Sequence, residues 1–193
     1  DVGVIEQQLK KTDRNGRLGT VVAPLANWAT KRGNALTRPV MERTANIHRD
    51  AALPRYDGKS FVSQSKTVMS EVNRDAPAFG RRAVLYATCF INYNNTEIGR
   101  SARAVLAHNG VETEVSYPGC CGMPQLESGD LQRVADSARQ VAAELMSWVD
   151  RGYDIISLMP SCSLMLKFEW PLIVPGDDNV RRLSAATKDI SEY

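Results

Sequence analysis

The chain has 193 residues, 43% hydrophobic and 24% charged, with 24 Lys and Arg against 22 Asp and Glu for a net charge of +2. This is the balance of an ordinary globular protein long enough for one core and an extended arm, and no run of 18 apolar residues is present to span a bilayer. The net charge hides an asymmetry, +7 over residues 1–82 and −5 over 83–193, yet no basic run interleaved with aromatics occurs, which argues against nucleic acid as a partner.

The chain begins at Asp1, with no basic segment followed by an apolar one, so it is expected to start inside a longer protein and to carry no secretory signal. A first helix is expected over Val4 to Lys11, ending in the turn-prone Asp13-Arg14-Asn15-Gly16, and a second over Val22 to Arg32. Neither has an apolar face large enough to fold alone, so both should lean on the later domain or on something outside the chain. A short helix, Arg38 to Ala45, leads into an extended connector that carries His48, read as a surface or hydrogen-bonding residue because no other ligand lies near it. The Pro77 and Gly80 region marks the boundary between a basic helical arm and linker, 1–80, and a domain over 81–193.

Arg82 to Ala87 reads as a strand buried on both faces and ends at Thr88-Cys89. After the polar loop Asn92 to Asn95, a helix capped by Asn95 or Thr96 carries Ile98, Ala102, Val105 and Leu106 and closes at Asn109-Gly110. Val111 to Tyr117 alternates as a second strand and runs into Gly119-Cys120-Cys121-Gly122-Met123-Pro124. Ser128 or Asp130 caps a long helix whose stripe runs from Leu131 to Val149. Asp154 to Met159 is the third strand, delivering Pro160-Ser161-Cys162, and a last helix is expected over Asp178 to Ser191. This order predicts an α/β fold, a Rossmann-like three-layer parallel sheet with helices on both faces, preceded by the irregular helical arm.

Each cysteine group falls just past the carboxyl end of a strand, the edge at which open α/β sheets bind ligands, so Cys89, Cys120, Cys121 and Cys162 are expected to meet although 31 and 41 positions separate them in sequence. Adjacent cysteines between glycines suit a ligand pair better than packing, since Gly119 and Gly122 can take positive φ and let the chain turn while Pro124 stiffens the exit. Thiolate sulfur is the soft ligand of iron–sulfur clusters and of zinc, and both a [4Fe-4S] cubane and a Zn(Cys)4 site take four. A disulfide, thiol–disulfide chemistry at Cys120-Cys121 and plain core packing are the remaining alternatives. With no sign of secretion, metal or redox use is favoured over a disulfide framework.

Cys89, then Cys120-Cys121-Gly122, then Cys162 with Ser163-Leu164-Met165 resembles the cysteine-rich CCG domain of the heterodisulfide reductases, and more closely that of the Fe-S oxidoreductase subunits of the anaerobic glycerol-3-phosphate dehydrogenase type. Gly119 to Leu131, Pro160 to Glu169 and the arm segments Ile47-His48-Arg49-Asp50 and Leu53-Pro54-Arg55-Tyr56 carry the likeness, which extends over residues 35–193. The resemblance implies an Fe-S domain in one component of an electron-transfer oxidoreductase, cytoplasmic or peripheral on the inner membrane face. Electrons would pass between a flavoprotein dehydrogenase or Fe-S partner and a quinone or thiol/disulfide acceptor. It also implies a second CCG repeat and a ferredoxin-like domain, neither of which stands in these 193 residues. Met165 occupies the place of the family's last cysteine, which speaks against a five-thiolate double cluster and keeps open a zinc domain used for docking or membrane anchoring. Lys167, one turn past Cys162, reads equally as a candidate to offset part of a cluster's negative charge and as a solvated helix lysine.

Overall fold

The computed structural model describes residues 7–193 apart from residues 9 and 69. Its centre is a four-stranded, all-parallel sheet in the order β2-β1-β3-β4, with β1 at Arg82–Tyr86, β2 at Glu112–Ser116, β3 at Asp154–Ser157 and β4 at Thr187–Asp189. The chain crosses from β1 to β2 on one side and then back over β1 to β3 on the other. That reversal is the switch point at which open α/β sheets leave a crevice beyond their carboxyl ends.

Alternation along the strands builds a core on each face, as period-two geometry requires. On one side Val84, Tyr86 and Ile155 pack with Val134, Ala138, Val141, Ala142 and Leu145 of the long helix Leu131–Val149. On the other, Ala83, Leu85 and Ile156 pack with Ala102 and Leu106 of the helix Thr96–His108. The expected α/β architecture with helices on both faces is present.

The last strand departs from expectation, since the final helix stops at Ala186 and Thr187–Asp189 joins the sheet beside β3. Short helices escaped the periodicity argument because four or five residues are too few to show it, among them Phe61–Ser65, Cys89–Tyr93 and Met123–Glu127.

The arm leans on the domain. Half of the helix expected over Val4 to Lys11 lies outside the described residues. The turn expected at Asp13 to Gly16 is instead the first half of a helix, Thr12–Val21. Its glycines serve close approach: a Cβ at Gly16 would stand 2.3 Å from Cδ2 of Tyr93, and one at Gly19 2.5 Å from the ring of Tyr56. Helices Ala23–Thr30 and Arg38–Ala45 follow. The connector after them is ordered by Arg38, 1% exposed, whose guanidinium donates to the carbonyls of His48, Arg49 and Ala51. His48 is on the surface, its Nδ1 accepting from the Asp50 amide.

Phe61 makes the deepest of these contacts. It is fully buried among Ala83, Leu85 and Ile91, and its ring occupies the space that a Cβ on Gly99 would take, at 2.7 Å. Replacing Phe61 with Ala is expected to cost about 3–5 kcal/mol in denaturant unfolding. Gly99→Ala alone is expected to cost about 1–3 kcal/mol through overpacking, and to lose that penalty in the Phe61→Ala background. Additive losses would show that the two positions do not share this space.

Candidate metal or cluster site

The parallel register sets the site. Tyr86 of β1 stands level with Ser116 of β2 and Ser157 of β3, so the three turns that follow open at one edge. Cys89 starts the helix after β1, with the Thr88 hydroxyl capping it at the Ile91 amide. Cys120 and Cys121 lie in the loop after β2, and Cys162 in the helix Pro160–Leu164 after β3. All four expected cysteines are brought together, and all four are free thiols.

They stand as two pairs. Cys120 and Cys89 have their Sγ atoms 4.0 Å apart, and Cys121 and Cys162 3.2 Å apart. The Thr12 hydroxyl of the arm reaches 3.6 Å from Cys120 Sγ. Among the described residues no group of three or more His, Cys, Asp or Glu converges tightly enough to form a ready-made ion site.

Two buried aromatic donors hold the loop between them. Tyr86 Oη donates to the Gly119 carbonyl at 2.6 Å, and Trp170 Nε1 donates to the Cys121 carbonyl at 3.0 Å. Gly122 has φ +84°, the left-handed turn that starts the helix Met123–Glu127, with Pro124 in its first turn. Of the two glycines able to take positive φ only Gly122 does so, and a Cβ at Gly119 would make only an ordinary contact with Val141. Neither Tyr86 nor Trp170 was singled out from sequence, although a polar-tipped aromatic ending an apolar strand is a signal, because such a residue needs a partner when buried.

Other expectations resolve differently. Lys167 does not face the thiols; its Nζ donates to both carboxylate oxygens of Glu192 at 2.6 Å. Met165 is fully buried in the same apolar cluster as Cys121, Cys162 and Trp170, at the start of a π-helical turn, Met165–Glu169. The helix carrying Cys162 is tied to the sheet by Ser163, whose Oγ donates to Asp189 Oδ2 at 2.8 Å.

Crowding the thiols makes them unequal. Hydrogen bonds from Cys121 above all, then from Cys89, with the Gly122 amide and the Thr12 hydroxyl adding to them, hold Cys120 well below the ordinary thiol range. Cys89 is pushed up by Cys120 and by burial, and Cys121 by Cys120, Cys162 and burial. Burial first, and then the neighbouring cysteines, also push up the phenols of Tyr86 and Tyr117, which stay neutral hydroxyls. The Tyr117 Oη is buried and has no hydrogen-bond partner within the described structure. The donor set, four soft sulfurs with a phenol whose Oη is unpartnered beside them, fits a thiolate-bound cluster or metal.

Residues 83–167 match the family model described as "Cysteine-rich domain", CCG. Over 172 residues the chain is 24% identical to one of the subunits of anaerobic glycerol-3-phosphate dehydrogenase of Escherichia coli K12, covering 88% of this chain and 42% of that protein. It is 29% identical over 116 residues to lactate utilization protein A of Geobacillus kaustophilus, covering 56% and 46%. It is 30% identical over 94 residues to one of the subunits of fumarate reductase (CoM/CoB) of Methanothermobacter marburgensis, covering 48% and 18%. The chain thus spans less than half the length of these relatives. No solved structure is significantly similar.

If the indole holds the loop, Trp170→Phe leaves the Cys121 carbonyl buried without its donor. A loss of about 1–3 kcal/mol is expected, together with faster reaction of the metal-free thiols with a disulfide reagent. Unchanged stability and unchanged thiol reactivity would mean that the loop holds itself.

Proposed function

We propose, on the match of residues 83–167 to the cysteine-rich CCG domain, that the chain binds an iron–sulfur cluster of the [4Fe-4S] type and passes electrons within an oxidoreductase complex. Cys89, Cys120, Cys121 and Cys162 would hold the cluster. The observation that carries this reading is the gathering of four free thiols, from turns after three different strands, at one edge of the sheet. A cluster supplies one-electron transfer, at a potential set by burial and by hydrogen bonds to sulfur.

The chain's own residues support that chemistry. Tyr86 and Trp170 fix the loop carbonyls, which orients Cys120 and Cys121. The Gly122 amide and the Thr12 hydroxyl favour the charged form of Cys120 sulfur. The tyrosine layer excludes water, with Tyr117 stacked on Tyr86 and edge-on to Tyr93.

The reading extends to partners by what the relatives' names describe, one component of a dehydrogenase and one of a reductase. A flavoprotein dehydrogenase or an Fe-S protein would stand on one side of the transfer and a quinone or thiol/disulfide acceptor on the other. A second CCG repeat would stand beside this one, with 1–80 serving as an arm to 81–193, in the cytoplasm or on the inner membrane face. Among the described residues no helix is long and apolar enough to cross a membrane.

One observation favours a second reading. Met165, a poor ligand, stands packed in the core where the fifth cysteine of the family's pattern would be, and a closed Zn(Cys)4 site needs only the four thiols present. In that case the metal staples the strand ends and the domain serves docking.

Metal and acid-labile sulfide content with a visible spectrum, on protein purified without oxygen, separates the two. About four iron and four sulfide per chain are expected, with absorbance that bleaches on reduction and is lost in Cys120→Ser and Cys162→Ser. One tightly held zinc without labile sulfide would remove electron transfer from this domain.

A further inference from the structure

A cavity of about 520 Å³ opens beside Cys89, between the arm and the domain. Its apolar wall is built by Met41, Ala45 and Ile47 from the third arm helix and its exit, Leu53 from the connector, and Cys89 and Phe90 from the turn after β1, with the first two arm helices contributing further residues. Its size is that of a small-molecule site, which runs to about 300–1,000 Å³.

The lining chooses the kind of occupant. Among the described residues no Lys, Arg, Asp, Glu or His lines the cavity, so a charged ligand would be taken from water without a counter-ion. Three of the polar side chains in the wall have a donor committed elsewhere. Asn15 donates to the Gln8 carbonyl, Asn94 to the Arg55 carbonyl and Thr30 to the Ala26 carbonyl. Thr12 lies against Cys120 Sγ. What remains is largely aliphatic and aromatic surface, continuous at Cys89 and Thr12 with the thiol cluster.

We propose that this cavity is a binding site for an uncharged, predominantly apolar small molecule, seated against Cys89 and walled in by the arm. Binding stands on the cavity alone; that the occupant is the molecule with which the site exchanges electrons rests on the function proposed above. The arm then completes a site that the CCG domain lacks by itself, because Met41, Ala45, Ile47 and Leu53 all precede residue 81.

The test uses the chain as it is and two bicyclic probes of similar shape, neutral 2-naphthol and anionic 2-naphthoate. Saturable binding of 2-naphthol is expected, shifting the methyl signals of Met41, Ala45, Ile47 and Leu53 and leaving Leu172, which is exposed and does not line the cavity, unmoved. The anion should bind about tenfold or more weakly. Ala45→Phe, which fills the cavity, should abolish binding while leaving iron and sulfide content as in the parent chain. Equal affinity for the two probes would overturn the proposal. So would shifts spread over the exposed arm residues Leu18, Val21 and Leu25, or binding that survives in a folded Ala45→Phe chain. A chain that binds 2-naphthol but carries zinc would keep the site and remove its redox role, so the two readings fail separately.

Discussion

Parallel pairing on both sides of β1 is the constraint on which the rest of the molecule depends. A parallel strand cannot turn straight back into its neighbour, so every connection must cross a face of the sheet and return to the same starting edge. With Tyr86, Ser116 and Ser157 in register, the chain leaves three strands at one level. Residues remote in sequence are then neighbours without any contact between them having to be strong. The cost falls on β1, whose residues from Ala83 to Tyr86 are wholly buried and tolerate no polar side chain without a partner. Tyr86 meets that condition by committing its hydroxyl to the Cys-Cys loop.

This makes the aromatic residues more than packing. Tyr86 lies on the strand and Trp170 beyond the π-helical turn, yet both donate to carbonyls within three residues of one another, Gly119 and Cys121. A loop rich in glycine has little stiffness of its own, and here its shape is set from outside. The thiols it presents do not ionise alike: Cys120 is favoured by its neighbours at the expense of Cys89 and Cys121. A bound cation is what draws a coordinating thiol to thiolate outright, which is the physical sense of placing four of them together under the reading proposed here.

How much of this was legible in the sequence follows from how each feature is encoded. The first three strands and the long helix announce themselves through apolar runs, alternation and a stripe sustained over five turns, and their order gives the sheet edge on which the cysteines meet. Features encoded by tertiary contact were not legible. Gly16 and Gly19 look like turn residues in a polar stretch, but they are helix positions that the rings of Tyr93 and Tyr56 require to be bare. Lys167 stands in sequence near Cys162, and only the fold reveals that Glu192, 25 residues on, claims it. Thr187–Asp189 is too short to show alternation and is a strand because β3 offers it an unpaired edge. Arg38, basic and in a basic arm, gives no sign in sequence that it is buried to gather three carbonyls.

The arm is where sequence and structure say different things about the same residues. By composition it is a basic, irregular appendage, and by contact it reaches the chemical centre: Thr12 touches Cys120, and the Tyr93 hydroxyl donates to Asp13 at 3.3 Å. Asn27 and Tyr56 exchange two hydrogen bonds that fix the connector against the second arm helix. Burial and the Asp13 charge push the Tyr93 phenol up to about 12, so it remains a donor and the link to the arm persists across the physiological range. An appendage that only shielded the sheet would need apolar cover alone. One that places a hydroxyl on a cysteine and bare glycines against two rings is positioned with respect to the site, and whatever approaches Cys89 from that side meets the arm before it meets the domain.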